Sequence, residues 1–297
     1  MLKLVLGTLA LFGVWFAAVF VKDFIDNKDN LEDNNWGKVS IIGFISNFFD
    51  TLGIGSFAPT TAMLKGFKQT KDRKIPGTLN VACTIPVILE AFIFISVIEV
   101  EMVTLLSMLA AATLGAWIGA GIVSKLPEKK IQVVMGVALF VTAFLMFAGK
   151  VDLMPSGGDA IGLTGASLIF AIAANFVLGA LMTAGIGLYA PCMALIYFLG
   201  MSPKVAFPIM MGSCAFLMPI ASIKFVKEGA YDRRAAMGIT IAGSIGVFIA
   251  AYIVKELPLN ILTWLVIGVI LYTSITMLRA AKKNKGNEKE EASSEVA

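Results

Sequence analysis

The stretch Gly53-Ile54-Gly55-Ser56-Phe57-Ala58-Pro59 interrupts a long apolar run, and it has a partner. Gly185-Ile186-Gly187-Leu188-Tyr189-Ala190-Pro191 interrupts a second run at a constant offset of 132 residues (191 − 59). In a helix interior glycine costs roughly 1 kcal/mol against alanine and proline about 3. Two sets of breakers at matching places therefore divide each run into half-helices. At bilayer depth such a break is tolerated only where the freed N–H and C=O groups face protein or a polar cavity. Paired interruptions in corresponding positions of two halves are a sequence pointer to a transporter's binding site.

That reading needs a membrane, and the composition supplies one. Hydrophobic residues make up 58% of the 297-residue chain and charged residues 15%, where a soluble domain carries about 25% charged. Apolar runs of about twenty residues recur along nearly the whole length, as in membrane-spanning helices. The net charge of +4 sits in short loops between these runs, so no nucleic-acid partner is expected. The chain has no histidine, which removes Ser-His-Asp hydrolysis, the H-E-x-x-H zinc site and histidine-ligated haem. Cys83, Cys192 and Cys214 lie in apolar runs with no C-x-x-C spacing and read as small packing residues. No metal or other cofactor is expected.

In order, Met1 to Val21 reads as a retained N-terminal helix, a cleaved signal peptide being the alternative, although no clean small-x-small site follows the run, and Lys22 to Lys38 reads as an acidic, solvated loop. The first half holds the broken segment Val39 to Leu64 and spans over Pro76–Ile98, Met102–Val123 and Ile131–Ala148. A Pro/Gly-rich linker from Lys150 to Asp159 leads to the second half. Its broken segment is Ile161 to Gly200, followed by spans over Pro203–Val226, Ala235–Val254 and Leu259–Leu278. Pro76 and Pro208 share the offset of the breaks, and Leu126-Pro127 against Leu257-Pro258 misses it by one, so the halves read as a duplication. The expected units are 1–38, 39–150, 151–281 and a disordered tail over 282–297.

Loop charge then bears on orientation. In the first half lysine and arginine gather at Lys65–Lys74 and Lys125–Lys130; in the second they gather at Lys224–Arg234 and in the tail. Basic loops stay cytoplasmic, so the two repeats are expected to be inverted in the membrane. Inversion needs an odd number of crossings per repeat, yet each repeat has four apolar segments. A broken segment that enters and leaves on the same side, as a re-entrant hairpin, reconciles the two counts. The expected fold is thus an all-α polytopic membrane protein. Two inverted repeats, each a re-entrant broken helix pair plus three transmembrane helices, follow one N-terminal helix.

At these residues the chain resembles the TauE/SafE family of sulfite and organosulfonate exporters and related permeases. The family's repeat opens with a G-I-G-G-G break followed by proline, matched here by Gly53-Ile54-Gly55…Pro59 and Gly185-Ile186-Gly187…Pro191. Lys227-Glu228-Gly229, Leu126-Pro127 and Leu257-Pro258 match its later elements, and the likeness covers about Val39 to Ala281. It departs where the third and fourth glycines are replaced by Ser56 and Phe57, and by Leu188 and Tyr189. A Thr-Ser common early in the next span is replaced by Ile209-Met210. The resemblance implies a permease for small anions, and it leaves the substrate unnamed.

The candidate residues follow. Half-helix N-termini present free N–H groups and positive dipole ends, which suit an oxyanion. Gly53, Gly55, Gly185 and Gly187 would let that backbone approach closely, with Pro59 and Pro191 just beyond, and Ser56 would add a hydroxyl. The alternative is glycine as packing residue or kink. Thr78 and Asn80 in one half and Ser213 in the other follow Pro76 and Pro208 at similar distances, and would line the same cavity or glue helices together. A carboxylate at bilayer depth costs about 2.5–3.5 kcal/mol and usually has a task. Glu90, inside a span, is the leading candidate for a coupling proton, and Asp50, beside the first break, is the next. A structural hydrogen bond and a helix cap are the respective alternatives.

Together these features point to a secondary-active exporter of small anions such as sulfite or organosulfonates, working by alternating access around the paired breaks. The competing classes are an intramembrane enzyme without histidine and a non-transporting scaffold or sensor. The expected partners are a small anionic substrate, the lipid bilayer and coupling protons, with a homodimer left open. The expected location is the cell membrane, in multi-pass form.

Overall fold

A computed structural model of the chain describes residues 2–153, 157–252, 264, 267–268 and 270–283. They are helical apart from turns and one isolated bridge between Ala160 and Met201. The long first helix α1 (Leu2–Asp26) buries Val5, Leu9, Gly13, Phe16 and Phe20, a stripe at helical spacing that packs on α9 (Pro203–Lys227) and α4 (Ile75–Val97). The first broken segment is α2 (Trp36–Thr51) followed by α3 (Phe57–Gly66). The second is α7 (Gly165–Met182) followed by α8 (Tyr189–Phe198). Between and after them run α5 (Met102–Val123), α6 (Glu128–Lys150) and α10 (Arg233–Tyr252), and the chain is helical again over 270–283.

Among the described residues, seven helices (α1, α4, α5, α6, α7, α9 and α10) are long and apolar enough to cross a membrane. The 10-residue helices α3 and α8 rise only about 15 Å each, half the hydrocarbon core.

Hydrogen bonds fix which helix ends lie together. At one end of the bundle the Asn35 amide donates to Gln69 Oε1 at 2.9 Å, and Asn34 Nδ2 donates to the Gln69 carbonyl at 3.1 Å. The start of α2 and the exit of α3 therefore share one end. The Asp232 amide donates to Thr78 Oγ1 at 2.9 Å, and Gln132 Nε2 to Asp72 at 3.0 Å, which brings the starts of α4, α6 and α10 to that end too. Lys65–Lys74, Lys125–Lys130 and Lys224–Arg234 all lie there, and we call it the basic end. At the far end the Glu101 amide donates to the Ile161 carbonyl, and the Leu163 amide donates to Thr104 Oγ1 at 2.8 Å. The Gly158 amide donates to the Met201 carbonyl at 3.0 Å. The start of α7 and the exit of α8 thus share the far end. The first hairpin opens to the basic end and the second to the opposite one.

The helix pairings are exchanged between the halves. α2 packs along α10 while α7 packs along α5, and α4 lies on α9 in the middle. Both outer pairings rest on glycine. A Cβ on Gly43 would run into the Ile239 backbone, and one on Gly115 or Gly179 would run into the carbonyls of Phe176 or Ala112. Lipid offers no hydrophobic drive between helices, so backbone-to-backbone packing at small residues carries the association.

The acidic segment after α1 departs from the solvated loop read in the sequence. Helix α1 continues to Asp26, Asp23 pairs with Arg233 at 2.8 Å, and Glu32 pairs with Lys74 at 2.7 Å. Its charges meet partners that lie far along the chain. The second broken segment was expected to be the longer one, but α7 and α8 exceed α2 and α3 by only two residues in total, 18 and 10 against 16 and 10. Lys282 and Lys283 are helical, and the rest of the expected tail, with the Leu257-Pro258 turn, lies outside the described residues.

Candidate functional site

Both breaks are built from a helix end followed by a helix start. Gly53 adopts φ +88° after α2, its amide donating to the Asp50 carbonyl at 2.8 Å and the next amide, of Ile54, to Phe49 at 3.1 Å. This is a Schellman ending, which needs a left-handed residue and so favours glycine. Gly185 at φ +92° repeats the left-handed turn after α7, its amide bonding the Met182 carbonyl at 2.9 Å. Pro59 and Pro191 occupy the third position of α3 and α8, inside the first turn, where a missing N–H removes one orphan donor.

The tips of the two hairpins meet. A Cβ on Gly55 would lie 3.8 Å from the Cβ of Tyr189, and one on Gly187 would lie 3.8 Å from the Cβ of Phe57. Tyr189 and Phe57 are themselves equivalent by the 132-residue offset, so each glycine abuts the first aromatic of the opposite break. Between them Asp50, Gly55, Ser56, Gly187, Tyr189 and Cys214 surround a cavity of about 20 Å³, room for about one water. The Asp50 carboxyl faces Ser56, but neither of its buried oxygens makes a hydrogen bond of normal geometry among the described residues. It is the least satisfied carboxyl in the bundle interior, and it borders the cavity.

Glu90, fully buried on α4, spans the two breaks. Tyr189 Oη donates to its Oε2 at 2.9 Å, and Thr51 Oγ1 lies 2.8 Å from its Oε1. Thr51 Oγ1 is also 2.9 Å from the Asn47 carbonyl. A hydroxyl has one proton. If that proton goes to the carbonyl, the hydrogen between Thr51 and Glu90 belongs to a protonated Glu90. Glu90 thereby holds one residue from each half.

Of the sequence candidates, the structure therefore gathers Asp50, Gly55, Ser56 and Gly187 around one cavity, with Glu90 reaching it through Tyr189. Gly53 turns toward Phe207, and Gly185 packs against Met135. Pro59 is buried, while Pro191 borders an outward groove with Phe144 and Phe198. Thr78, Asn80 and Ser213 stand elsewhere. Thr78 donates to the Lys74 carbonyl at 2.8 Å and accepts from Asp232, tying α4 to the α9–α10 turn. Asn80 Nδ2 donates to the Pro76 carbonyl at 2.8 Å. Ser213 accepts from Asn175 Nδ2 at 3.0 Å, and Asn175 also bonds the Met108 carbonyl. The Thr78–Asp232 and Ser213–Asn175 contacts join helices, the alternative read for these residues in the sequence, while the Asn80 bond stays within α4. Tyr189 and Thr51 were missed. The one signal for Tyr189 was a hydroxyl-bearing residue where the first break has Phe57.

At the basic end a wide pocket of about 1020 Å³ is bordered by Lys65, Lys68, Lys71 and Lys74 with Glu32, Asp72 and Asp232. Burial pushes the Asp232 carboxyl up from its ordinary value, against the opposing pull of the Ala235 amide and the Asn34 side chain.

The family model described as Sulfite exporter TauE/SafE matches residues 1–146 and 167–297. No curated protein and no solved structure matches the chain.

Proposed function

The chain belongs to the TauE/SafE family of sulfite exporters, a multi-pass membrane transport protein by its family and the seven span-length apolar helices among its described residues, and on that premise we propose a secondary-active exporter of small oxyanions in the cell membrane, working by alternating access. The observation that carries the reading is the meeting of two broken hairpins, one open to each end, around a small cavity bordered by Asp50 and linked to Glu90. Inverted repeats are the arrangement that such opposed hairpins fit, and transporters built this way place substrate where half-helices meet.

The free N–H groups of the first turns of α3 and α8, with the Ser56 hydroxyl, would receive the oxyanion. An anion entering beside Asp50 and Glu90 meets two acids at bilayer depth, where like charges repel strongly. Substrate and proton therefore bind together, and Glu90 carries the proton. Parting of the tips toward one end or the other would give access from that side. Counterflow in proteoliposomes with sulfite, sulfonates and carboxylates tests this; exchange of at least one anion is expected, and exchange of none overturns the reading.

A further inference from the structure

The first break holds a group of buried oxygens with nothing to bond. Both carboxyl oxygens of Asp50 and the side-chain oxygen of Asn47 have no hydrogen-bond partner among the described residues, and the two residues are 1% and 0% exposed. They stand three residues apart near the end of α2, hence on one face. Asn47 Nδ2 donates to the Gly43 carbonyl at 2.9 Å, which leaves its oxygen as the free end. Ser56, at the start of α3, caps no backbone amide of that helix and faces Asp50 instead. Cys83 of α4 lies beside the side chains of both Asn47 and Ser56 and closes the group. The central cavity of about 20 Å³ opens against Asp50 and Ser56.

The second break does without this group. Asn47, Asp50, Ser56 and Cys83 correspond at the 132-residue offset to Gly179, Met182, Leu188 and Ala215. The same hairpin is built there with no polar side chain at any of the four positions, so the turn itself does not require them. The charge of Asp50 also lacks a partner. Among the described residues no lysine or arginine is buried, and buried charges are paired or hold a metal ion. Water bridging the three oxygens would leave the charge in place. A proton on Asp50 would cancel the charge but satisfy one acceptor at most. A bound cation does both, and a half-helix C-terminus such as the end of α2 favours one.

We propose that Asp50, Asn47 and Ser56 hold one sodium ion, the counter-charge beside the transported anion. Carboxylate, amide and hydroxyl oxygens are hard ligands, and a single carboxylate balances one positive charge. Calcium takes more oxygens than the group offers, and magnesium keeps its own waters. A cavity with room for about one water suits a dehydrated sodium ion and is tight for the larger potassium ion. The site rests on the geometry of α2 and α3. Its counter-charge role rests on the anion-transport reading and deepens it: with the proton on Glu90 and sodium on Asp50, an anion entering between the tips meets no bare carboxylate.

The test uses the full-length protein purified in choline chloride. Its melting temperature in nanodiscs should rise with added sodium chloride, logarithmically once the site is saturated, and stay level with potassium chloride at the same ionic strength. Asp50→Asn should abolish the sodium shift. Asn47→Ala and Ser56→Ala should each raise the half-saturating sodium concentration roughly tenfold or more, the scale on which metal sites lose affinity when a supporting group goes. Where Asp50→Asn does not fold, these two milder variants decide. In counterflow with the same cation on both sides, sodium in place of potassium should lower the KM of whichever anion exchanges. Equal melting temperatures in sodium, potassium and choline, or an unaltered sodium response in the variants, overturn the site and leave anion transport standing. A sodium shift with an unchanged KM overturns the counter-charge role. A sodium shift with no anion exchanged leaves the cation site standing and removes the transport reading.

Discussion

The Glu90→Gln variant tests the reading of Glu90 as a proton carrier in two independent ways. An amide has the shape of a protonated carboxyl. Its oxygen can accept from Tyr189 Oη as Glu90 Oε2 does at 2.9 Å, and its NH₂ can donate to Thr51 Oγ1, 2.8 Å from Oε1. If the native group is the acid, the substitution keeps both bonds, and stability should change by less than about 0.5 kcal/mol. Tyr189→Phe then removes one neutral hydrogen bond, worth about 1 kcal/mol, and should cost the same with Glu90 or in the Glu90→Gln background. A carboxylate behaves differently. A hydrogen bond to a charged group is worth ~1.5–3 kcal/mol, so Tyr189→Phe would cost more with Glu90 than in the Glu90→Gln background. Unfolding in mixed detergent micelles across this cycle measures the difference. Transport gives the second readout: Glu90→Gln should exchange substrate across a membrane yet fail to accumulate it against a gradient. A Glu90→Gln variant destabilised by 2 kcal/mol or more, or one that keeps full proton-driven accumulation, refutes the assignment.

Gly187→Ala should keep the fold, because its new methyl has 3.8 Å to Phe57, and should slow exchange by narrowing the tip contact. Gly55→Ala sits at φ +90° and should in addition lose about 1–2 kcal/mol, so comparing melting temperature with counterflow in the pair separates cavity from backbone. Gly115→Ala places a methyl against the Phe176 carbonyl and should destabilise the α5–α7 pairing by a few kcal/mol, whereas Gly7→Ala, with open space around it, should be silent in the same unfolding assay. At the start of α5, the amides of Thr104 and Val103 hold the Glu101 carboxyl below its ordinary value of 4.5. Its stabilisation is present above that value and is lost as pH falls through the lower folded one; Glu101→Gln should lower the melting temperature at pH 7, a gap that closes in melting curves taken progressively below pH 4.5. In a cysteine-free background, residues introduced at Lys68 and Arg234 should label from the same side of the membrane, and labelling from opposite sides would sink the shared basic end.

The breaks were legible because glycine and proline are costly inside an apolar helix, so their repetition at one offset carries information that no apolar residue could. The hairpins were legible through the loop charges, which made an even number of segments conflict with inversion. Side-chain roles were harder. Thr78 and Asn80 looked like cavity residues by their spacing from Pro76. Helix α4 rises from the basic end, though, and Thr78 lies twelve residues before Glu90, about 18 Å of helix. Ser213 lies deeper in α9 but is turned to Asn175. Tyr189 was read only as a departure from glycine, since nothing local to it shows that Glu90 lies across the interface. The pairs Asp23–Arg233 and Glu32–Lys74 were hidden for the same reason: local composition shows charge, and only the fold supplies the partner.

The exchanged pairing of helices sets a schedule for biogenesis. Helix α2, too short at 16 residues to cross the bilayer alone, leaves the ribosome long before the helix that covers its glycine face. Glu32 and the Arg233 amide it receives, at the entrances to α2 and α10, are 201 residues apart. At ~5–20 residues per second of synthesis, the first hairpin waits roughly 10–40 s for its partner. During that interval its broken backbone has no protein to face on the α10 side. A nascent chain in this state is a natural client for an insertase or membrane chaperone, and truncation before α10 should yield a fragment that proteases clear from the membrane.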